Sequence, residues 1–140
     1  MSSILGAIFP VSTKNVRPLF DQNRNIFVKF TKFAKLGKGS KIVFYRARKL
    51  IGEGKIVRVE RLDPRTAWIR YEKHIFLNQN EYNQYVERSP ITGENRKMTV
   101  ITVFVLEKLR RYKNPVKCRF TVTPSGRYLT KKIYRNIREK

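Results

Sequence analysis

The sequence predicts one mainly β domain over residues 1–140, built on a small, strongly curved mixed or antiparallel sheet or open barrel with helices at its periphery. Three observations carry this. β-branched and aromatic runs recur along the chain, clearest at Lys41–Tyr45, Lys55–Leu62 and Met98–Leu106. Turns bearing glycine or proline separate them. Helical periodicity is confined to short stretches, and no repeat or low-complexity segment interrupts the pattern.

Taken in order, the opening apolar run Ile4–Phe9 reads as a strand that Pro10 ends. It lacks the basic start and long apolar centre of a signal peptide. A short helix follows at 13–20, capped by Ser12 or Thr13 and kept brief by Pro18. Asn25–Phe33 is β-rich and loosely alternating, as expected of a strand covered on both faces. Leu36–Ser40 is a tight turn into the strand Lys41–Arg48. A second turn over Leu50–Gly54 then leads into Lys55–Leu62, which makes a hairpin with glycine where the chain bends. Asp63-Pro64 turns the chain into Thr66–Tyr71, where Trp68 and Arg70 alternate with Ala67 and Ile69. A helix starts at Asn78, with Glu81 completing a capping box and Leu77 and Tyr82 placed as a hydrophobic staple. Ser89-Pro90 ends it, and a loop covers 91–95. Met98–Leu106, the most apolar run, should be the central strand, and Lys117–Val122 alternates as another. A last helix, capped by Thr123–Gly126, carries Leu129, Ile133 and Ile137 on one stripe.

Charge narrows the function. Thirty-two Lys and Arg against 10 Asp and Glu give +22, and self-repulsion at that level must be overcome by apolar burial. A 41% hydrophobic content with nine Phe and seven Tyr supplies it, so this is not a disordered basic tail. The charge is uneven. Residues 1–52 hold 11 basic residues and one acid, 53–107 hold nine and eight, and 108–138 hold 11 and none. A Lys-rich surface built for ion-pair networks would carry matching Glu. The segregation instead predicts one polyanion-binding face made from the two flanks, with RNA the partner, DNA bound non-specifically and no membrane. A single cysteine suits a reducing, cytoplasmic compartment.

From Leu36 to Leu62, the glycine-bounded turn, the strand Lys41-Ile42-Val43-Phe44-Tyr45 and the step Ile51-Gly52-Glu53-Gly54-Lys55-Ile56 resemble the central hairpin of PUA-like domains. That superfamily includes the PUA, ASCH, EVE and YTH families. The order of strands and helices on either side is similar too, and the whole chain looks most like a small archaeal family of that superfamily. The resemblance implies a pseudo-barrel and, beside it, a cleft that in many relatives receives RNA or a modified base. ASCH domains show a Gly-x-Lys-x-x-Glu-x-Arg stretch after the first helix. The corresponding Gln22–Phe30 lacks the glycine and has Lys29 near the acidic position, which counts against ASCH-type catalysis and leaves nucleic-acid binding untouched.

The candidate nucleic-acid contacts are cations for phosphates and flat side chains for bases: Arg24, Lys29, Lys38, Lys41, Arg46 and Arg48 with Tyr45, then Trp68 with Arg70, then the acid-free cluster Arg110, Arg111, Lys113, Lys117 and Arg119. Alternation leaves open whether Tyr45 and Trp68 face core or solvent. An enzyme acting on a modified nucleobase is the alternative, with Lys29, Thr31 and Glu53 or Glu60 as its groups, provided the lysine's pKa is depressed. An accessory protein in an RNA–protein assembly is a third. One Cys and one His cannot furnish a structural zinc site, and Gly37–Lys41 lacks the spacing of a phosphate loop, so no metal or cofactor is expected. His74 reads as a strand residue at or near the surface, and Cys118 as core.

Overall fold

Strands β1 (Ile4–Pro10), β2 (Ile26–Lys29), β3 (Lys41–Arg46), β4 (Lys49–Leu62), β5 (Ile101–Lys117) and β6 (Arg127–Thr130) form one mixed sheet in the order β2-β5-β4-β3-β1-β6. A computed structural model describes residues 3–30, 33, 35–87, 100–124 and 126–138. The expected loop at 91–95, the helix stop at Ser89-Pro90 and the strand start at Met98 lie outside the described residues. Among the described strands β1 and β3 pair in parallel and the other strand pairs are antiparallel. Helix α1 (Thr13–Phe20) supplies the crossover between β1 and β2; α2 (Pro64–Tyr71), α3 (Gln79–Glu87) and α4 (Lys131–Arg138) complete the chain.

The sheet has two apolar faces because successive strand residues point opposite ways. Phe9, Phe27, Ile42, Phe44 and Phe104 face one core, which Val16 and Leu19 of α1, Ala67 of α2 and Tyr82 of α3 close. Its aromatic rings meet in edge-on, tilted and stacked pairs, edge-on at Phe27–Phe44, 5.3 Å between centroids, and stacked at Phe27–Phe76, 4.8 Å. Ile8, Val43, Tyr45, Leu50 and Tyr112 face a second core, closed by Tyr134 and Ile137 of α4. The capping box is present in full. Asn78 Oδ1 accepts from the Glu81 N–H at 2.8 Å, and Glu81 Oε1 accepts from the Asn78 N–H at 3.1 Å. Leu77 and Tyr82 are both buried, as a staple requires.

The structure corrects four elements. The hairpin turn is Ala47-Arg48, with Arg46 paired to Lys49, so the expected turn over Leu50–Gly54 is continuous strand. Both turn residues have φ in the left-handed region, +52° and +64°, as a two-residue type I′ turn demands. The Arg48 carbonyl is held there by the Cys118 N–H at 3.0 Å and its Sγ at 3.3 Å. Thr66–Tyr71 is helical because Asp63 caps it, accepting from the Thr66 N–H at 3.1 Å, and Pro64 suits the first turn. One strand, β5, runs through to Lys117, and Cys118–Val122 lies outside it even though Cys118 and Val122 are buried. Leu129 belongs to β6, so the last helix begins only at Lys131.

Gly52 is in β4 for space. A Cβ there would lie 2.4 Å from Phe20 Cζ and 2.7 Å from the Arg110 carbonyl oxygen, one of them backbone. Two substitutions therefore move stability in opposite directions. Ala47→Gly relieves a left-handed alanine and should stabilise by up to about 1 kcal/mol. Gly52→Ala forces β4 from α1 and should destabilise on the order of 3 kcal/mol. Urea unfolding midpoints of the two variants check this; equal midpoints would contradict the turn and strand assignments together.

Candidate nucleic-acid interface

Where β2 ends against α1 and α3, the first core opens into a cleft of about 350 Å³. Its floor is Phe27, Val28, Phe76 and Leu77, and its polar wall is Ser12, Lys14, Asn15, Lys29, Glu81 and Tyr85. Lys29 is there because it shares strand parity with the core residue Phe27 yet is the last residue of β2, so its stem lies on aromatic surface and its ammonium reaches the cleft. Nζ is 5.7 Å from the Phe9 ring centroid and 5.9 Å from that of Tyr85. Among the described residues no carboxylate lies within ion-pair distance of it. Burial accordingly pulls its pKa down from 10.5 to about 8.

The other polar groups are scaffolded tightly. The Tyr85 hydroxyl accepts from the Phe30 N–H at 2.8 Å, pinning α3 to the end of β2; burial pushes that phenol's pKa up. Glu81 serves twice, capping α3 and pairing with Lys14 at 3.2 Å across to α1. Asn15 is buried; its Nδ2 donates to Ser12 Oγ at 2.9 Å while Oδ1 is buried without a partner, an unmet acceptor in the cleft wall.

Cations rim this cleft. Arg24 shares a neighbouring depression with Lys14, Phe76 and Glu81. On the other side Arg46 Nη1 donates to Thr13 Oγ1 at 3.0 Å, beside the lining residues Ser12 and Lys14. From Arg46 the exposed turn carries Arg48 and Lys49, and Lys49 stands directly across from Lys117. Lys113 and Arg119 are exposed farther along the chain, Arg111 pairs with Gly52, and Lys38 is exposed in the turn before β3.

The remaining candidates lie elsewhere. Tyr45 is buried in the second core, 8% exposed, and does not offer a ring to a base. Trp68 packs on Tyr82 at 5.0 Å between α2 and α3, and Arg70 pairs with Glu60 at 2.8 Å; a helix in place of the expected alternating segment separates them as a stacking pair. Glu60 is also bound by Arg58 at 2.8 Å and by the Tyr71 hydroxyl. Glu53 is on the opposite face of the sheet from Lys29, so the set Lys29, Thr31 and Glu53 is not assembled there; Thr31 lies outside the described residues. Lys41 and Arg110 both go to Glu53 rather than to the cleft, so the flanking cations divide between two faces instead of sharing one. His74 is exposed, and no cluster of three metal-ligating side chains occurs among the described residues. Among them, too, no helix is long and apolar enough to cross a membrane.

Comparison with known proteins places this geometry. Residues 4–131 match a domain of unknown function, DUF365. An uncharacterised protein of the archaeon Methanocaldococcus jannaschii is 30% identical over 107 residues, covering 71% of this chain and 98% of its own. The chain belongs to the DUF365 family. Its fold is that of PUA-like domains: the ASCH protein of Zymomonas mobilis superposes with a TM-score of 0.78 at 16% identity, covering 96% of this chain and 94% of that one. The N-terminal domain of Staphylothermus marinus McrB superposes at 0.57 with 18% identity, covering 100% and 98%. Within this DUF365 domain the residues that sequence reasoning missed are Lys14, Asn15, Glu81 and Tyr85 in the cleft and Lys49 beyond its rim. The capping box named Glu81 as a helix cap, and nothing in the sequence said that α3 would bring it to Lys29.

A cation held at about pKa 8 in an apolar wall is destabilising while protonated, on the order of 3 kcal/mol below pH 8. The unfolded chain binds that proton up to about 10.5, so the penalty fades as pH rises from 8 towards 10.5. Lys29→Met should therefore be more stable than the natural chain at pH 7, with the gap closing by pH 10. Parallel thermal melts across that range test the sign.

Proposed function

We propose that this DUF365 protein is an RNA-binding module whose cleft takes a single unstacked base and whose basic rim holds the flanking phosphates. The observation that carries the reading is Lys29: a mostly protonated donor at neutral pH, without a carboxylate partner among the described residues, in an aromatic-walled cleft. Its Nζ can donate to a base carbonyl. The volume, near the low end for small-ligand sites, suits one nucleoside and not a duplex end. Lys14, Arg24, Arg46, Arg48, Lys49 and Lys117 would follow the backbone on either side. Placing Lys49 across from Lys117 costs stability by like-charge repulsion, a cost that a phosphate between them removes.

One observation favours a second reading. A lysine near pKa 8 is also poised as a general base, so turnover of a modified base in the same cleft is the alternative, with Glu81 in place of Glu53 as the carboxylate. Incubation with modified nucleosides and a search for a released product separates the two.

For the binding reading, single-stranded RNA should bind more tightly than DNA of the same sequence. Five or six phosphate contacts imply a log–log salt slope of about −3.5 to −4. Lys29→Met should weaken binding about tenfold while leaving that slope nearly unchanged, because the loss is at the base and not the backbone. A flat salt dependence, or a Lys29→Met variant that binds as well as the natural chain, would remove this reading.

A further inference from the structure

The second core contains a charged cluster that the cleft does not use. Glu53 lies on β4 with its side chain 8% exposed, and its carboxylate is surrounded. The Tyr112 hydroxyl donates to Oε1 at 2.9 Å, and the Tyr134 hydroxyl lies 3.1 Å from both oxygens. Lys41 Nζ reaches Oε2 at 3.2 Å, and Arg110 Nη2 reaches Oε1 at 3.1 Å. Burial raises the carboxyl's pKa, but the hydrogen bonds from Tyr112, Lys41 and Tyr134 outweigh it and hold Glu53 ionised. Lys41 and Arg110 come from the two acid-poor flanks of the sequence, and strand pairing delivers both to one carboxylate.

The arrangement is layered. The carboxylate lies beneath, while the Arg110 side chain is 64% exposed and that of Lys41 31%. Each cation is also steadied by a ring, Lys41 over Tyr134 at 5.0 Å and Arg110 over Tyr112 at 5.4 Å. Two positive charges share one negative, so the cluster is net positive, and each cation engages Glu53 through one nitrogen, leaving further N–H donors toward solvent. Lys55, directly across from Lys41, stands opposite Glu107 on β5. Long cationic side chains lose entropy on binding; Lys41 and Arg110 are already ordered.

We propose that Lys41 and Arg110, held by Glu53, form a second phosphate site on the sheet face away from the cleft, taking a phosphodiester of the same RNA strand. The proposal rests on the RNA-binding reading but can fail apart from it. Glu53 is a positioning residue: it does not touch the phosphate, and its negative charge would by itself repel it.

The test uses the whole chain and two probes. Inorganic phosphate should shift amide resonances at Glu53, Arg110 and Tyr134, and Arg110→Ala should abolish the response; no shift in the natural chain would overturn the site. Single-stranded RNAs of about 4 and about 16 nucleotides separate the faces, a range that site sizes of single-strand-binding OB-folds span. Arg110→Ala should leave the short RNA within twofold and weaken the long one about tenfold, with a shallower salt slope. Arg61→Ala, removing an exposed cation elsewhere on β4, is the control and should stay within twofold for both. Equal losses for the two variants would mean net charge alone and would overturn the proposal. If long RNA ignores Arg110→Ala while the short RNA binds, the second site is wrong and the cleft stands. Failure of the natural chain to bind either RNA sinks both. Glu53→Gln separates positioning from charge: weaker long-RNA binding supports the clamp, and tighter binding refutes it. Should that variant not fold, Arg110→Ala still decides.

Discussion

Strands β4 and β5 stay paired from Lys49 opposite Lys117 to Leu62 opposite Ile101, through three register shifts, and the other elements take their places from that ribbon. One half of β5 carries β2, whose last residue is Lys29. The first half of β4 carries β3, and β3 in turn carries β1 and β6. Each register shift swaps which side chains face which core. The cleft and the Glu53 cluster are therefore opposite consequences of one pairing. Gly52 allows it, because any side chain there would push β4 off both α1 and β5.

The ribbon also sorts the charge. At its far end Glu60 is shared by Arg58, Arg70 and Tyr71, and Asp63 caps α2, so cations there are matched locally. At the turn end Arg46, Lys49 and Lys117 are paired with one another and not with an acid, while Glu53 farther along β4 takes Lys41 and Arg110. A domain of net charge +22 gains stability by spreading its cations apart, and this one concentrates them. That choice makes sense where a polyanion supplies the missing negative charge.

Much of the fold was legible because local chemistry and tertiary outcome agree. Apolar, β-branched and aromatic runs located β1, β3 and the β4 hairpin partner, and the Asn78–Glu81 box located α3. The errors fall where local signals conflict. Glycines at 52 and 54 looked like a turn but answer to space, whereas the real turn uses Ala47 and Arg48, held left-handed by the distant Cys118. Asp63-Pro64 was read as a turn when it is equally a helix start, and that reading misplaced Trp68. Of the cleft lining, Lys29 alone is legible as a contact, with Arg24 and Arg46 at the rim. Asn15, Glu81 and Tyr85 reach it from α1 and α3, and no single-chain periodicity reports which helices converge on a strand end.

The buried Glu53 and the half-buried Lys29 show the clearest contrast in the molecule. Glu53 is surrounded by four donor side chains, so its ionised form is favoured despite burial. Among the described residues Lys29 has ring faces and no ion-pair partner, and burial lowers its pKa. A methionine would fill the same stem position without the penalty, and the neighbouring core already consists of such apolar residues. A satisfied charge has a structural explanation in the groups that satisfy it. A cation at a cleft wall with no carboxylate partner among the described residues has no such explanation, which is the reason to look to the cleft's own ligand.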